Sequence, residues 1–123
     1  GGTREYLDPV RFLGNRSTGL QGYALARTAA ASGAEVTLVA ANVTLPDPAG
    51  VKVVRIETTE QMQAEVVAAC RTADAVVMAA APADFRPRTM PTSRSSSGSG
   101  NTLAANAGIF ACGQCRRLCG SRM

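Results

Sequence analysis

Stretches that read as buried strands alternate with stretches that read as helices along the first 81 residues, and no other feature restricts the fold as strongly. Residues 35–41 (EVTLVAA) are short, β-rich and almost wholly apolar after the first, the pattern of a strand covered on both faces in a parallel sheet. Residues 75–81 (AVVMAAA) repeat that pattern, and 51–57 (VKVVRIE) read as a more exposed strand. Leu20, Tyr23, Ala24, Leu25 and Ala30 recur at helical spacing within 17–32, with Ser17 or Thr18 as N-cap and Gly33 as the stop. Thr58-Thr59-Glu60-Gln61 is a capping box that opens a second helix running to about Arg71. Alternation at this spacing predicts βαβ units with right-handed crossovers, hence an α/β, Rossmann-like doubly wound parallel sheet. The chain opens directly on the turn sequence Gly1-Gly2-Thr3, so the first strand is expected to be missing, and the sequence after Pro87 continues no such pattern, so the C-terminal half of the sheet is expected to be missing as well.

A chain of 123 residues holds one domain at most. Its character changes after Pro87. Residues 1–87 carry eight basic and all nine acidic side chains, whereas 88–123 carry five basic and none acidic. Residues 93–101 (SRSSSGSGN) are rich in Ser and Gly and continue no periodicity. Such a segment buries too little apolar surface to offset about 1–2 kcal/mol of backbone entropy per residue. Residues 88–123 are therefore expected to be a disordered basic Ser/Gly/Cys tail.

Composition removes several classes of function. Histidine is absent, so no imidazole base and no His-ligated metal site is available. Cys112, Cys115 and Cys119 imitate a thiolate ligand spacing, but only Cys70 remains as a fourth, and no metal site is expected. Arg116 and Arg117 lack the interleaved aromatic groups that stack on nucleic-acid bases, so no nucleic-acid partner is expected. The longest apolar run falls far short of the roughly 20 residues that span a bilayer. No basic-then-apolar leader opens the chain, and a soluble, cytoplasmic protein without a membrane partner is the expectation.

Ligands of open α/β sheets bind outside the carboxyl ends of the strands, and segments 1–22, 40–46 and 78–86 converge there. The Gly1-Gly2-Thr3 turn either admits an anion close to the backbone or is a plain strand-to-helix turn. The stretch from Asp8 to Gly22 (DPVRFLGNRSTGLQG) holds a connection of about a dozen residues that ends at a helix N-terminus, longer than the usual βα loop, and such loops are usually functional. Ser17, Gly19 and Gly22 would turn a hydroxyl, backbone amides and the positive helix end toward a phosphate; the alternative is an ordinary N-cap with a tolerated helix glycine. Asn15 is either a holder of a carbonyl or acyl-phosphate oxygen or a turn former. In residues 79–87 (AAAPADFRP), small side chains admit a base or ribose, and Asp84 either addresses ligand donors or Mg²⁺ or pairs with Arg86. Glu5, Asp8 and Arg11 are expected to serve the loop itself.

With those residues in view, residues 1–88 resemble the start of the bacterial phosphopantothenate–cysteine ligase domain, the synthetase half of the bifunctional coenzyme A biosynthesis protein. The carrying segments are GGTREYLDPVRFLGNRSTGLQGYALA, GAEVTLVAANVTLPDPAGVKVVRIETTEQM and ADAVVMAAAPADFRP. The resemblance implies a Rossmann-like, homodimeric ligase that uses CTP and Mg²⁺ to convert the carboxylate of 4′-phosphopantothenate into an acyl-cytidylate. Cysteine's amine then displaces CMP to give phosphopantothenoylcysteine. By the same resemblance Ser17, Gly19 and Gly22 fall on the triphosphate-binding helix start beside Gly1 and Gly2. Met78, Ala79, Ala80 and Asp84 fall on the cytidine-binding strand end, and Asn15 on the asparagine that handles the acyl-cytidylate. An acyl-nucleotide needs its phosphate charge held while its carbonyl faces the amine, so these roles agree with the physical reading.

The chain departs from the family after ADFRP, where a Lys-rich segment of the form K-x-K-K is expected and Arg94-Ser95-Ser96-Ser97 stands instead. A planar guanidinium does not replace a compact ammonium. A reading-frame shift between Phe85 and Arg94 would produce such a change, and the fragment is then expected to be inactive as a ligase. Two alternatives accompany that reading. The chain is a Rossmann nucleotide-binding or interaction module without catalysis, or it is part of a bifunctional protein that also carries the flavin-dependent decarboxylase. A nicotinamide-binding enzyme is disfavoured, since no G-x-G-x-x-G turn is present.

Overall fold

The computed structural model describes residues 1–88 and 103–105. Two six-residue strands rich in β-branched side chains form its centre, β3 (Val36–Ala41) and β4 (Val51–Ile56), paired in parallel from Val36↔Val51 to Ala41↔Ile56. Side chains alternate along a strand, and here the alternation sorts them onto two helices. Leu38 and Ala40 face α1 (Leu20–Ala31), where with Tyr23, Val43, Leu45 and Val53 they form one core. Val39 and Ala41 face α2 (Thr59–Cys70), where Ile56, Val54, Val66, Ala80 and the 1%-exposed Met62 form the second. Helices on both faces of a parallel sheet make this an α/β, Rossmann-like architecture, as the sequence predicts. The connection 42–50 from β3 to β4 contains no helix, and its Val43 and Leu45 dock into the α1-side core.

Both helix ends follow their local chemistry. Thr58 caps α2 by accepting the Gln61 amide at 3.2 Å, while the Gln61 side chain accepts the Thr58 amide at 3.1 Å, so the predicted capping box is complete. α1 ends at Gly33, φ 90°, whose amide donates to Ala30 O, while the Ala34 amide donates to Ala29 O. This is a Schellman closure, in which a residue without Cβ takes the left-handed conformation.

Several expectations are corrected. The N-cap of α1 is Gly19, φ 78°, and not Ser17 or Thr18, and no side chain caps the helix. The Thr18 hydroxyl lies 3.5 Å from the Leu20 amide, at the limit of a hydrogen bond and one residue short of the N2 and N3 amides that a capping oxygen reaches. The long loop after Thr3 contains a hairpin, β1 (Arg4–Tyr6) antiparallel to β2 (Phe12–Gly14). Its turn is built by Asp8, whose Oδ1 accepts the Val10 and Arg11 amides and whose Oδ2 pairs with Arg11 Nε at 2.6 Å.

Residues 75–81 do not form the predicted buried strand. Only Ala81 pairs, in an isolated parallel bridge with Gly2, and Val77 is 73% exposed. A strand exists through its neighbour, and among the described residues only the Gly1–Gly2 backbone runs beside this segment. Residues 36–41 are covered on both faces as expected, by α1 and α2, most fully at Ala40 and Ala41, while Thr37 near the start of the strand is exposed and β4 is its one pairing partner among the described residues. Finally, β5 (Phe85–Pro87) pairs antiparallel with β6 (Leu103–Ala105), so this triplet of the predicted tail carries regular structure. β6 is the apolar triplet Leu-Ala-Ala that follows the Ser/Gly run.

Candidate functional site at the carboxyl end of the sheet

Three of the segments singled out in the sequence meet where β3 ends. The Ala81 amide donates to Gly1 O at 3.1 Å, Asn15 Nδ2 to Pro82 O at 2.8 Å and the Ala83 amide to Thr3 Oγ1 at 2.8 Å. Asn42, the first residue beyond β3, sits at φ 48° and its Nδ2 donates to both Gly2 O and Glu57 O, each at 2.9 Å. Asparagine tolerates that left-handed conformation better than most residues. Its side chain thus ties together the ends of three chain segments.

The start of α1 lies against this assembly. A Cβ at Gly19 would come within 2.6 Å of Val43 Cγ2, so helix and strand-end loop approach through the missing side chain. A Cβ at Gly2 would overlap Asn15 O, and one at Gly1 would overlap Ala41 O. Gly22 differs: its nearest neighbour would be Ala79 Cβ at 3.9 Å, ordinary contact with room beside it. The amides of Gln21 and Gly22 have no partner among the described residues, as the first turn of a helix leaves them. No acidic side chain occupies that turn, and Ser17 is half-buried beside it. Free amides at the positive end of a helix are suited to an anion.

The structure thus brings Gly1, Gly2, Asn15, Gly19, Gly22, Ala79 and the 81–83 backbone into one region. Ala79 and Ala80 are half-buried and Met78 is exposed. Asp84 is exposed and does not pair with Arg86; Arg86 Nη1 lies 3.6 Å from Glu60 Oε2, and Asp84 has no partner among the described residues. Arg94, the tail cysteines, Arg116 and Arg117 lie outside the described residues.

Sequence reasoning missed the interior supports of this region. Thr3 and Glu5, two apart, point to the same side and are both buried. Thr3 Oγ1 lies 2.8 Å from Thr59 Oγ1, and Glu5 Oε1 accepts the Thr59 amide at 2.8 Å. Glu5 therefore serves the start of α2, whereas Asp8 and Arg11 do serve their own loop. The Val10 amide, followed by the side chain and amide of Arg11, holds the Asp8 carboxyl below its ordinary value despite burial, which acts the other way. An alternation of Thr and Glu before a hairpin was the available signal. Among the described residues no group of three or more His, Cys, Asp or Glu could hold a metal, and no helix is long and apolar enough to cross a membrane.

Residues 1–111 match the family model described as the DNA/pantothenate metabolism flavoprotein C-terminal domain. The chain is 56% identical over 95 residues, 76% of its length, to the coenzyme A biosynthesis bifunctional protein CoaBC of Mycobacterium tuberculosis, and spans 23% of that relative. It is similar to the crystal structure of the C-terminal domain of a coenzyme A biosynthesis bifunctional protein CoaBC, with a TM-score of 0.76 and 37% identity, covering 89% of this chain and 52% of that one. It also resembles the DNA/pantothenate metabolism flavoprotein of Streptococcus pneumoniae, with a TM-score of 0.66 and 28% identity over 71% of this chain and 39% of that one.

These findings keep coenzyme A biosynthesis and correct the ligase assignment. The matching family is described as a flavoprotein and the relatives as bifunctional proteins; none of these descriptions names a ligase, CTP, Mg²⁺ or cysteine. The group that the family description names is a flavin, in place of CTP and Mg²⁺. Among the readings of the sequence, these descriptions favour the alternative in which the chain is part of a bifunctional protein that also carries the flavin-dependent decarboxylase. The correction has a physical reason: glycines at a helix start and small residues at a strand end suit any phosphate-bearing ligand, and do not specify the chemistry performed on it. The match also runs past residue 88, beyond the segments that carry the resemblance. With residues 1–111 inside that match, the chain belongs to the DNA/pantothenate metabolism flavoprotein C-terminal domain family.

Proposed function

We propose that this chain is one section of a bifunctional coenzyme A biosynthesis protein that also carries a flavin-dependent decarboxylase, and that this section holds the phosphate end of a phosphorylated pantothenate derivative. The observation that carries the reading is the family match over residues 1–111, which takes in every segment of the sheet end. In this reading the first turn of α1, with Ser17, Gly19 and Gly22, faces the phosphate. Gly1, Gly2, Asn15, Met78, Ala79, Ala80 and Asp84 border the remainder of the ligand. Support comes from the uncapped, acid-free helix start and from the open space at Gly22. Residues 1–87 as the first portion of the unit, a homodimeric assembly and a cytoplasmic location belong to the same proposal.

A flavin supplies redox chemistry where it is bound, and its phosphate would suit the same helix start. Its ring does not fit the described residues. Asn15 and Asn42, the two amide side chains at this end, already donate to the backbone oxygens of Pro82, Gly2 and Glu57. Gly1, Gly2 and Gly19 abut Ala41, Asn15 and Val43, so no space for a ring opens at these three glycines. The proposal therefore places the ring in another section of the whole protein.

Calorimetric titration of the full-length protein with 4′-phosphopantothenate, pantothenate and FMN tests the reading. Loss of the phosphate should weaken binding by at least about tenfold, the effect of about 1.4 kcal/mol. Equal affinity for pantothenate would refute a phosphate site. Loss of bound flavin in Gly22→Val, with decarboxylation abolished, would move the ring to this end and overturn the assignment.

A further inference from the structure

We propose that Thr3 is a positioning residue: its buried hydroxyl fixes the Ala83 amide, and through it the 79–84 wall of the site, onto the start of α2. The inference rests on the functional reading above for the ligand that this wall faces. Its structural basis is independent of that reading. Thr3 is 0% exposed, so no water competes for its hydroxyl. The Oγ1 accepts the Ala83 amide at 2.8 Å and shares a second hydrogen bond with Thr59 Oγ1 at 2.8 Å. Thr59 is the first residue of α2, and its amide is held in turn by Glu5 Oε1 at 2.8 Å. One hydroxyl is thus the junction between β1, the N-terminus of α2 and the segment that follows Ala79 and Ala80.

Two further ties on this segment act elsewhere. Ala81 is held by the Gly1 backbone and Pro82 by the Asn15 side chain, which is exposed. Ala83 alone of the three is buried, and it immediately precedes Asp84. Removing the Thr3 hydroxyl takes a buried 2.8 Å hydrogen bond from the Ala83 amide, which is costlier than losing one at the surface. Residues 82–84 would then relax outward, and the orientation of Asp84 with them.

Amide hydrogen exchange and titration with 4′-phosphopantothenate on the full-length protein test this, using Thr3→Val, Thr3→Ser and Thr59→Val. Thr3→Val removes the acceptor with little change of shape. It should raise exchange at Ala83 about tenfold and weaken binding about five- to tenfold, the scale of one lost hydrogen bond. Thr3→Ser should restore both. Thr59→Val leaves the Ala83 bond in place and should leave Ala83 exchange within about twofold of wild type, the scale of a few tenths of a kcal/mol. If Thr59→Val accelerates Ala83 as much as Thr3→Val does, the hydroxyl only supports α2 and the proposal fails. Should Thr3→Val not fold, the wild-type protein decides: an Ala83 amide that exchanges as fast as the Asp84 amide overturns the proposal. Absence of phosphopantothenate binding in wild type would refute the functional reading while leaving the exchange result to judge Thr3.

Discussion

Replacing Gly22 by alanine should stabilise the protein while weakening its ligand, and the opposite signs make the substitution informative. Gly22 is the third residue of α1, with no left-handed φ, and a Cβ there would meet only Ala79 Cβ, at 3.9 Å. Alanine in a helix is favoured over glycine by about 0.5–1 kcal/mol. For a unit of this size that is about 2–8 °C in Tm. The same methyl group would stand beside the free Gln21 and Gly22 amides, where the phosphate is proposed to lie, and binding of 4′-phosphopantothenate should fall at least about tenfold. Gly19→Ala is the contrasting variant. There φ is 78° and the new Cβ would lie 2.6 Å from Val43 Cγ2. A left-handed non-glycine residue costs about 1–2 kcal/mol and overpacking about 1–3, together about 2–5 kcal/mol of lost stability. Thermal melts followed by circular dichroism and calorimetric titration of both variants give the two quantities. A lower Tm for Gly22→Ala would refute the helix geometry argued here. A raised Tm with unchanged affinity would refute the placement of the phosphate.

Three further outcomes are expected. Tyr23 buries a hydroxyl with no hydrogen-bond partner among the described residues, so Tyr23→Phe should be neutral or stabilising by up to about 1 kcal/mol in chemical denaturation. Thr58→Ala removes the capping oxygen of α2 and should destabilise by about 1 kcal/mol in the same assay, with the loss of protection concentrated at the Gln61 amide. The Asp8 carboxyl is held below its ordinary 3.8, so its contribution is present above that value and is lost as pH falls through the lower folded value. An acid titration of Asp8→Asn should therefore lack part of the wild-type loss of stability below about pH 4; identical acid profiles would exclude this role.

The sequence and the structure agree where the determining interactions are local. The capping box of α2 and the Gly33 closure of α1 involve residues within five positions of one another, and both formed as read. The Asp8 turn is equally local, yet the hairpin it closes is not legible in the sequence, because REY and FLG are too short to show alternation. Residues 75–81 show the converse failure, for their apolar pattern is clear but a strand needs a neighbour, and only Gly2 pairs with them among the described residues. The gathering of Gly1, Gly2, Asn15, Gly19, Gly22 and Ala79 was legible because open α/β sheets place their ligand sites at strand ends. Its supports at Thr3, Glu5 and Asn42 were not.

What the sequence by itself determined is the α/β alternation and the two helices, with the capping box of α2 and the Gly33 closure of α1. These follow from periodicity and from short-range hydrogen bonding, which a single chain segment encodes. Only the tertiary structure decided which amides are free and which are already engaged. Asn15 and Pro82 are 67 residues apart and Thr3 and Ala83 are 80 apart, and no local pattern announces that such groups will satisfy each other. A buried donor must find its acceptor somewhere, but burial and proximity exist only once the sheet has assembled.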